Sequence, residues 1–451
     1  MNRVALHTLG CKLNYAESST IGWQFLQRGY RIVGIDEPAE VCLINTCSVT
    51  ERADRECRKI VRRALRGSPQ AYVIVVGCYA QLQPEEMAAI PGVDLVLGSK
   101  EKFNLFQFAD GFRKTGAARC VVSPVDKLDT FDAASSLGFS DRTRAFLKIQ
   151  DGCDYGCSFC TVPLARGGSR SAGATGILAQ ARAILGAGYK EIVLTGVNIG
   201  DYGSKTDSDL PGLLGQLTAL EGLKRLRISS IEPNLLTDEL LEFWLNNPVM
   251  CKHFHIPLQA GSNEVLKLMR RRYTRDVYAE RVCTIKAARP EAGIGADVIA
   301  GFPGETDVLF EEMYGFLVDL PVSYLHVFTY SERPGTLSAQ MTNQIEPRVR
   351  HERSERLRIL GERKRRAFYE GFAGKTAEVL FEGEREKGWM TGLSGEYVRV
   401  NVKTDRQLEN QIRKVTIHHI DNGGCIGEII DTSLDQRSRF RPKQCKEATC
   451  A

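Results

Sequence analysis

The amino-acid sequence predicts an α/β protein in three parts: an N-terminal open parallel α/β sheet domain (residues 1–135), a central partial (β/α)6 barrel of the TIM type (139–370) and a small all-β barrel (371–435), with a polar tail (436–451). Three observations predict it. Short, continuous β-branched runs alternate with helical stretches over the first ~135 residues, as in an open parallel sheet covered on both faces. Six further strand candidates follow, separated by helical stretches, which suits a partial barrel. The last ~65 residues instead alternate with period two and are broken by glycines, as in a small β-barrel.

In the N-terminal part, Val4-Ala5-Leu6, Val41-Cys42-Leu43-Ile44 and Tyr72-Val73-Ile74-Val75-Val76 read as buried strands, and residues 15–27 and 51–65 as helices. Each strand runs into a cysteine: Leu9-Gly10-Cys11, Asn45-Thr46-Cys47 and Val76-Gly77-Cys78. The carboxyl ends of parallel strands form the binding crevice of such a sheet, so the three thiols are expected to meet at one edge. Ser48 and Glu51 fit a capping box, which sets Cys47 just before a positive helix end that favours a thiolate. Any one cysteine could be a small buried residue; all three at strand ends point to a three-thiolate site.

The run from 123 to 141 reads as a linker. The barrel strands expected after it are 146–149, 192–194, 226–229, 253–256, 296–299 and 324–328. The first leads into Cys153-Asp154-Tyr155-Gly156-Cys157-Ser158-Phe159-Cys160, with three thiols in eight residues. Three thiolates hold three corners of a [4Fe–4S] cube and leave one iron open, since such clusters usually take four. A zinc site lacking one ligand, or three buried thiols, is the plainer alternative; zinc more often uses paired C-x2-C knuckles. Active sites of TIM-type barrels lie at the carboxyl ends of the strands, so the other strand ends are expected to line the same cavity. These are Gly196 and Asn198, Ser230 and Glu232, Gln259, then Gly301, Pro303 and Gly304, with Thr329 and Tyr330 after the sixth strand. Gly-Phe-Pro-Gly-Glu alone is equally well a turn, and Ser230 and Glu232 could each cap a helix.

A helix is expected from 346 to 371, basic through Arg348, Arg350, Arg353, Arg356, Arg358, Arg363, Lys364, Arg365 and Arg366, with Leu357, Leu360, Ala367 and Phe368 on an apolar face. A solvated helix with salt bridges explains it as well as a nucleic-acid surface does. Arg270-Arg271-Arg272 forms a second basic cluster. In the C-terminal part, Val398, Val400 and Val402 alternate among Gly383, Gly388, Gly392, Gly395 and Gly423-Gly424. Cys445 and Cys450 in the tail read as incidental.

A formal charge of +5 names no partner by itself, and 43% hydrophobic with 25% charged residues is ordinary for a globular chain. Fourteen cysteines with no secretory signal argue for a reducing compartment and metal ligation. The uncharged stretch 71–83 is too short to cross a bilayer. A cytoplasmic protein without a membrane partner is expected.

The Cys153, Cys157, Cys160 spacing is similar to that of the radical S-adenosylmethionine (SAM) enzymes. With the cysteine-bearing α/β part before it and the β-barrel after it, residues 1 to about 432 resemble the radical SAM methylthiotransferases. His7-Thr8-Leu9-Gly10-Cys11-Lys12-Leu13-Asn14, Ile44-Asn45-Thr46-Cys47-Ser48-Val49-Thr50 and Gly77-Cys78-Tyr79-Ala80-Gln81 look most like the bacterial MtaB-type branch. That branch modifies N6-threonylcarbamoyladenosine beside the tRNA anticodon.

The resemblance implies two [4Fe–4S] clusters. Cys153, Cys157 and Cys160 would ligate the one that binds and cleaves SAM, and Cys11, Cys47 and Cys78 an auxiliary one that presents sulfur. It implies SAM contacts from Gly196, Asn198, Ser230, Glu232, Gln259, Gly301, Pro303 and Gly304, and no side chain acting as the catalyst itself. It also implies a TRAM-like C-terminal barrel, a tRNA anticodon stem-loop as substrate, an external electron donor and a sulfur source, with basic side chains near Arg270 and from 348 to 366 on the tRNA phosphates. Isopentenyladenosine tRNA, a ribosomal-protein aspartate, or a metal-containing RNA-binding role without catalysis are the alternatives. One departure stands out: after Arg166-Gly167-Gly168-Ser169-Arg170-Ser171, family members start a helix with proline and acidic residues, whereas this chain has Ala172-Gly173-Ala174-Thr175-Gly176.

Overall fold

The computed structural model describes residues 2–48, 51–137, 142–206, 208–386, 388–421 and 423–430. Six parallel strands open the chain: β1 (Arg3–Thr8), β2 (Arg31–Val33), β3 (Val41–Thr46), β4 (Tyr72–Gly77), β5 (Val93–Leu97) and β6 (Arg119–Val121), in the order β2-β1-β3-β4-β5-β6. β3 and β4 are buried throughout because helices cover both faces. Ile21 and Phe25 of helix Lys12–Gln27 pack on one side, and Cys57, Ile60, Val61 and Ala64 of helix Glu51–Gly67 on the other. Strand order reverses between β1 and β3, the point where such sheets bind ligands. Three short strands, β2, β5 and β6, were not legible as separate runs. The Glu51 side chain that the Ser48–Glu51 capping box needs lies outside the described residues, as does the tail with Cys445 and Cys450.

The barrel strands are β7 (Arg144–Lys148), β10 (Glu191–Thr195), β11 (Arg225–Ile228), β12 (His253–His255), β13 (Gly293–Ala300) and β14 (Tyr324–Thr329), with a small hairpin of β8 (Gln150–Asp151) and β9 (Arg170–Ser171) beside the first. They form two parallel three-stranded halves, β7-β10-β11 and β12-β13-β14. A Leu226–Met250 bridge and the Ile231 N–H bonded to the His255 carbonyl (3.0 Å) join the halves. The result is an open half-barrel. Its seam beside β7 is covered by the N-terminal domain, where Tyr15 meets Phe146 edge-on at 5.5 Å and Ala16, Ala134, Phe146 and Val193 form a shared core. Part of the expected linker is not loose: Ser136 N–H bonds the Phe146 carbonyl and Lys148 N–H the Ala134 carbonyl, both at 2.9 Å. Helix Ala174–Gly186 forms with Gly173 as its N-cap and no side-chain cap bond, so the departure in that segment costs a cap and leaves the helix intact.

Helix Pro347–Glu370 packs along β14. Two of its basic residues are built into the core. Arg350 and Arg353 are buried and paired with Glu332 (2.8 Å), Glu305 (2.8 Å) and Asp307 (2.6 Å), while Arg356 pairs with Glu311 and Arg348 with Glu352. β15 (Thr376–Glu386), β16 (Trp389–Ser394), β17 (Arg399–Lys403), β18 (Ile412–Asp421) and β19 (Gly424–Ile429) close into a barrel. It docks on the amino ends of the half-barrel strands. Arg225 donates to the Leu393 and Glu378 carbonyls (3.0 and 2.7 Å), Arg227 to those of Ser394 and Gly395, and Tyr397 stacks on His253 at 4.3 Å. The α/β sheet, partial barrel and terminal β-barrel read from the sequence are the observed architecture.

Candidate active site

Cys11, Cys47 and Cys78 follow β1, β3 and β4, whose carboxyl ends are neighbours. Two glycines make the turns into Cys11 and Cys78. Gly10 and Gly77 have φ of +97° and +98°, and a Cβ on Gly10 would lie 2.7 Å from Cys47 Cβ, one on Gly77 2.4 Å from Asn45 Oδ1. Left-handed backbone in so tight a space suits only glycine. Polar side chains tie the three loops together: Asn14 Nδ2 donates to the Leu9 and Thr46 carbonyls (2.9 and 3.0 Å), and Thr46 Oγ1 accepts the N–H groups of Tyr79 and Ala80 (3.2 and 3.3 Å). Cys11 is exposed, Cys78 partly buried and Cys47 buried.

The loop after β7 holds Cys153, Cys157 and Cys160, all partly buried. Tyr155 N–H points at Cys153 Sγ and Val162 N–H at Cys160 Sγ, each at 3.4 Å, and Arg271 Nη1 lies 3.1 Å from Cys157 Sγ. These donors suit sulfurs that carry negative charge. Burial pushes the Cys153 thiol up to about 11 and the Cys160 thiol up to about 12, so neither ionises at neutral pH until a metal displaces its proton. Among the described residues, neither cysteine trio brings all three sulfurs within 4.8 Å of one another. A single zinc at ~2.3 Å from each sulfur would hold them about 3.8 Å apart. That spread does not fit one such ion.

The loops that carry the two trios meet. Thr161, next to Cys160, donates to the carbonyl of Ser48, next to Cys47 (3.5 Å), and Arg333 Nη2 donates to Ser48 Oγ (2.6 Å). Beneath them runs a buried ionic network across the domain boundary. Glu17, fully buried, accepts from Arg166 Nη1 and Nη2 (2.9 and 3.0 Å), Lys102 (2.8 Å) and Lys148 (3.4 Å). Arg166 also donates to Asp151 (2.9 Å) and to Asn14 Oδ1 (2.7 Å). Burial alone would raise the Glu17 carboxyl, but Arg166, Lys102 and Lys148 bring it well below the usual carboxylate range. Arg166 sits at the end of the short helix after Cys160, Asp151 two residues before Cys153, and Asn14 three after Cys11. The network therefore fixes one cysteine loop against the other.

The remaining strand ends divide into two groups. Asn198 is buried, and among the described residues neither its amide oxygen nor its nitrogen finds a hydrogen-bond partner; Thr195 Oγ1 is likewise unpartnered among them. Gln150 Oε1 holds this loop by accepting the N–H groups of Val197 and Asn198 (2.9 and 2.8 Å), and a Cβ on Gly196 would come within 3.0 Å of it. Orphaned buried amides cost ~1–3 kcal/mol unless a ligand completes them, and a polar molecule such as SAM fits the donor set. Glu232 is ion-paired with Arg271, the residue on Cys157. Ser230, partly buried, precedes it. Gln259 lines an inner cavity of ≈ 180 Å³ together with Phe159, Cys160, Asp297, Phe328 and Tyr330. Gly301, Pro303 and Gly304 stand further back. A Cβ on Gly301 would meet Arg350 Cγ at 2.4 Å and one on Gly304 Asn343 Nδ2 at 2.6 Å, while Phe302 buttresses Phe159 of the cysteine loop at 6.3 Å.

Several residues of the site escaped the sequence reading: Glu17, Arg166, Gln150, Arg271 and the set His255, Asp297 and His326. In that set Asp297 Oδ1 lies 3.0 Å from His255 Nε2 and 3.1 Å from His326 Nδ1. The faint signal was the i, i+3 placement of Asn14 and Glu17 on the helix that starts beside Cys11. Arg271 was read as part of a surface cluster, yet it points inward. An outer cavity of ≈ 1020 Å³, lined by Arg55, Phe328, Tyr330, His351 and Arg358, shares Phe328 to Ser331 with the inner one.

Comparison with known proteins agrees with this construction. Residues 3–98 match the uncharacterized protein family UPF0004 and residues 147–317 the radical SAM superfamily. The chain is 40% identical to the threonylcarbamoyladenosine tRNA methylthiotransferase MtaB of Bacillus subtilis (strain 168) over 423 residues, covering 92% of this chain and 94% of that one. It is 38% identical to the MtaB of Aquifex aeolicus (84% and 92% covered) and 31% identical to the tRNA-2-methylthio-N(6)-dimethylallyladenosine synthase of Geobacter sulfurreducens (96% and 98%). Among solved structures, the radical SAM methyltransferase TsrM of Kitasatospora setae shares the fold at a TM-score of 0.53 and 15% identity, with 75% of each chain covered. The chain belongs to the radical SAM methylthiotransferase family, in its MtaB-type branch.

Proposed function

We propose that this protein inserts sulfur and a methyl group at C2 of N6-threonylcarbamoyladenosine at position 37 of tRNA, using two [4Fe–4S] clusters and SAM. The observation that carries the reading is the pair of three-cysteine loops set against each other by the Glu17–Arg166–Asp151 network. The C2–H of an adenine is neither acidic nor electrophilic enough for acid–base substitution. When bound, SAM and the Cys153–Cys157–Cys160 cluster supply one-electron chemistry for such a bond, and the Cys11–Cys47–Cys78 cluster supplies the sulfur.

The chain's own residues bind, orient and shield. Arg271 offsets negative charge at Cys157 and holds Glu232 in place; Asn198 and Gly196 orient SAM. The apolar inner cavity beside Cys160 excludes water from the reacting carbon. The seam past Phe328 and Arg358 admits the nucleoside, and the partner is the anticodon stem-loop. An external electron donor, a sulfur source and a cytoplasmic location complete the reading; no helix among the described residues is long and apolar enough to cross a membrane.

Mass spectrometry of tRNA nucleosides from a strain lacking the gene tests it. The expected result is loss of the 2-methylthio form of threonylcarbamoyladenosine with the unmodified nucleoside accumulating. Loss of 2-methylthio-isopentenyladenosine instead would transfer the reading to the branch represented by the Geobacter relatives.

A further inference from the structure

Three adjacent strands of the half-barrel aim one donor each at a common point. β12, β13 and β14 lie side by side in parallel, with His255 opposite Gly295 and Asp297 opposite His326. Gly295 and Asp297 are two residues apart on β13, so His255, Asp297 and His326 share one face of the sheet. That face is the lumen, since Asp297 lines the inner cavity with Cys160 and Gln259. His255 and Asp297 are partly buried and His326 is exposed. Their donor atoms meet pairwise: Asp297 Oδ1 lies 3.0 Å from His255 Nε2 and 3.1 Å from His326 Nδ1, and the two ring nitrogens are 3.2 Å apart.

Hydrogen bonds alone leave one of these three contacts unfavourable. With both ring nitrogens protonated, the carboxylate accepts twice but the imidazoles set two N–H groups against each other. With either nitrogen bare, its lone pair faces the carboxylate oxygen. A metal ion seated over the three atoms takes a lone pair from each and removes the conflict. Bonds of ~2.1 Å to nitrogen and oxygen put neighbouring ligand atoms roughly 3.0 Å apart around an octahedral ion and about 3.4 Å apart around a tetrahedral one. The observed triangle is nearer the octahedral spacing. Two imidazoles and one carboxylate on a single face leave the other positions open, the pattern of mononuclear ferrous sites. All three ligands stand on strands, which fix their geometry better than loops, and the His326 side chain is 52% exposed, which gives an ion its way in. We propose that His255, Asp297 and His326 bind a six-coordinate divalent ion of the ferrous or manganous kind, separate from both clusters and with its free positions in the lumen.

The test uses the full-length, anaerobically reconstituted enzyme, with its clusters in the oxidised, EPR-silent state and loose metal removed on a chelating resin. Mn2+ is the probe. Titration is expected to remove about one equivalent of the free Mn2+ EPR signal per chain, and pulsed EPR of the bound ion to show couplings from imidazole nitrogen. His326→Ala, made at an exposed side chain, and Asp297→Asn are each expected to weaken binding at least about 10-fold, since even an outer partner of a metal ligand is worth that much. Iron stays at about eight per chain in both. A free Mn2+ signal that wild type leaves undiminished overturns the proposal. So do bound Mn2+ without nitrogen couplings and variants that bind as tightly as wild type; the trio is then a hydrogen-bonded cluster. Should Asp297→Asn lose its clusters, His326→Ala and the nitrogen couplings decide. No turnover is read, so the result stands whichever nucleoside is the substrate.

Discussion

Glu17→Gln is the substitution that most strains the account of how the domains are locked. The change keeps the shape of the side chain and removes one charge. In the native protein Glu17 and Asp151 balance Lys102, Lys148, Arg166 and Arg170, with Glu17 receiving four donor contacts of 2.8–3.4 Å from Arg166, Lys102 and Lys148. After the change, Asp151 alone faces four buried or half-buried cations. Removing one partner of a buried pair costs about 3–5 kcal/mol; Lys102 loses the carboxylate it is paired with, while Arg166 and Lys148 keep Asp151, so a value in that range is expected. Urea unfolding of reconstituted protein measures it through the transition midpoint at constant slope.

The pH dependence supplies a second readout. The Glu17 carboxyl is depressed in the folded state, so its contribution is present above the unfolded value of ~4.3 and is lost as pH falls below it toward the folded value. Wild type should lose stability faster than Glu17→Gln as pH falls through that window. A loss below about 1 kcal/mol, or identical acid slopes, would refute the claim that this network clamps the two cysteine loops.

Other outcomes follow from the same geometry. Arg271→Met removes the donor on Cys157 Sγ and should lower the reduction potential of that cluster, read by EPR-monitored redox titration, and weaken iron retention by ~10–100-fold; an unchanged potential would count against it. Asn198→Ala should raise the SAM dissociation constant about 10-fold with iron content unaltered, measured by equilibrium dialysis of the loaded enzyme. Gly77→Ala forces a side chain to within 2.4 Å of Asn45 Oδ1 and should drop iron to about four per chain while 5′-deoxyadenosine release persists. Arg353→Met leaves Glu305, pushed up to about 7 by burial, without its guanidinium. It should destabilise the protein by about 3 kcal/mol in thermal unfolding without altering salt-dependent tRNA affinity.

What the sequence revealed were features written in consecutive residues. Runs such as Tyr72 to Val76 can be nothing but buried strands, and a cysteine directly after each places it at the crevice. The Cys153–Cys160 spacing is local too. The pairings that align the two sites are not local: Glu17 and Arg166 are 149 residues apart, and nothing in either segment names the other. Charge runs misled for a related reason. Arg350, Arg353 and Arg271 look alike in a basic stretch whether they meet solvent or a buried carboxylate, and all three turn inward. Gly301, Pro303 and Gly304 are expected from the sequence at the cavity or in a turn, and the atoms a Cβ on either glycine would meet first belong to Arg350 and Asn343. The apparent linker misled in the opposite direction, since its composition hides an antiparallel bridge from Ser135 to Leu147.

Two adjoining three-thiolate sites, each built for a four-iron cluster, are the core of the account. Iron and acid-labile sulfide per chain, measured on anaerobically reconstituted protein, test it most directly. About eight irons are expected in wild type and about four in each triple alanine variant, one lacking Cys11, Cys47 and Cys78 and the other Cys153, Cys157 and Cys160. Stoichiometric zinc in wild type, or a triple variant that keeps all its iron, would contradict it.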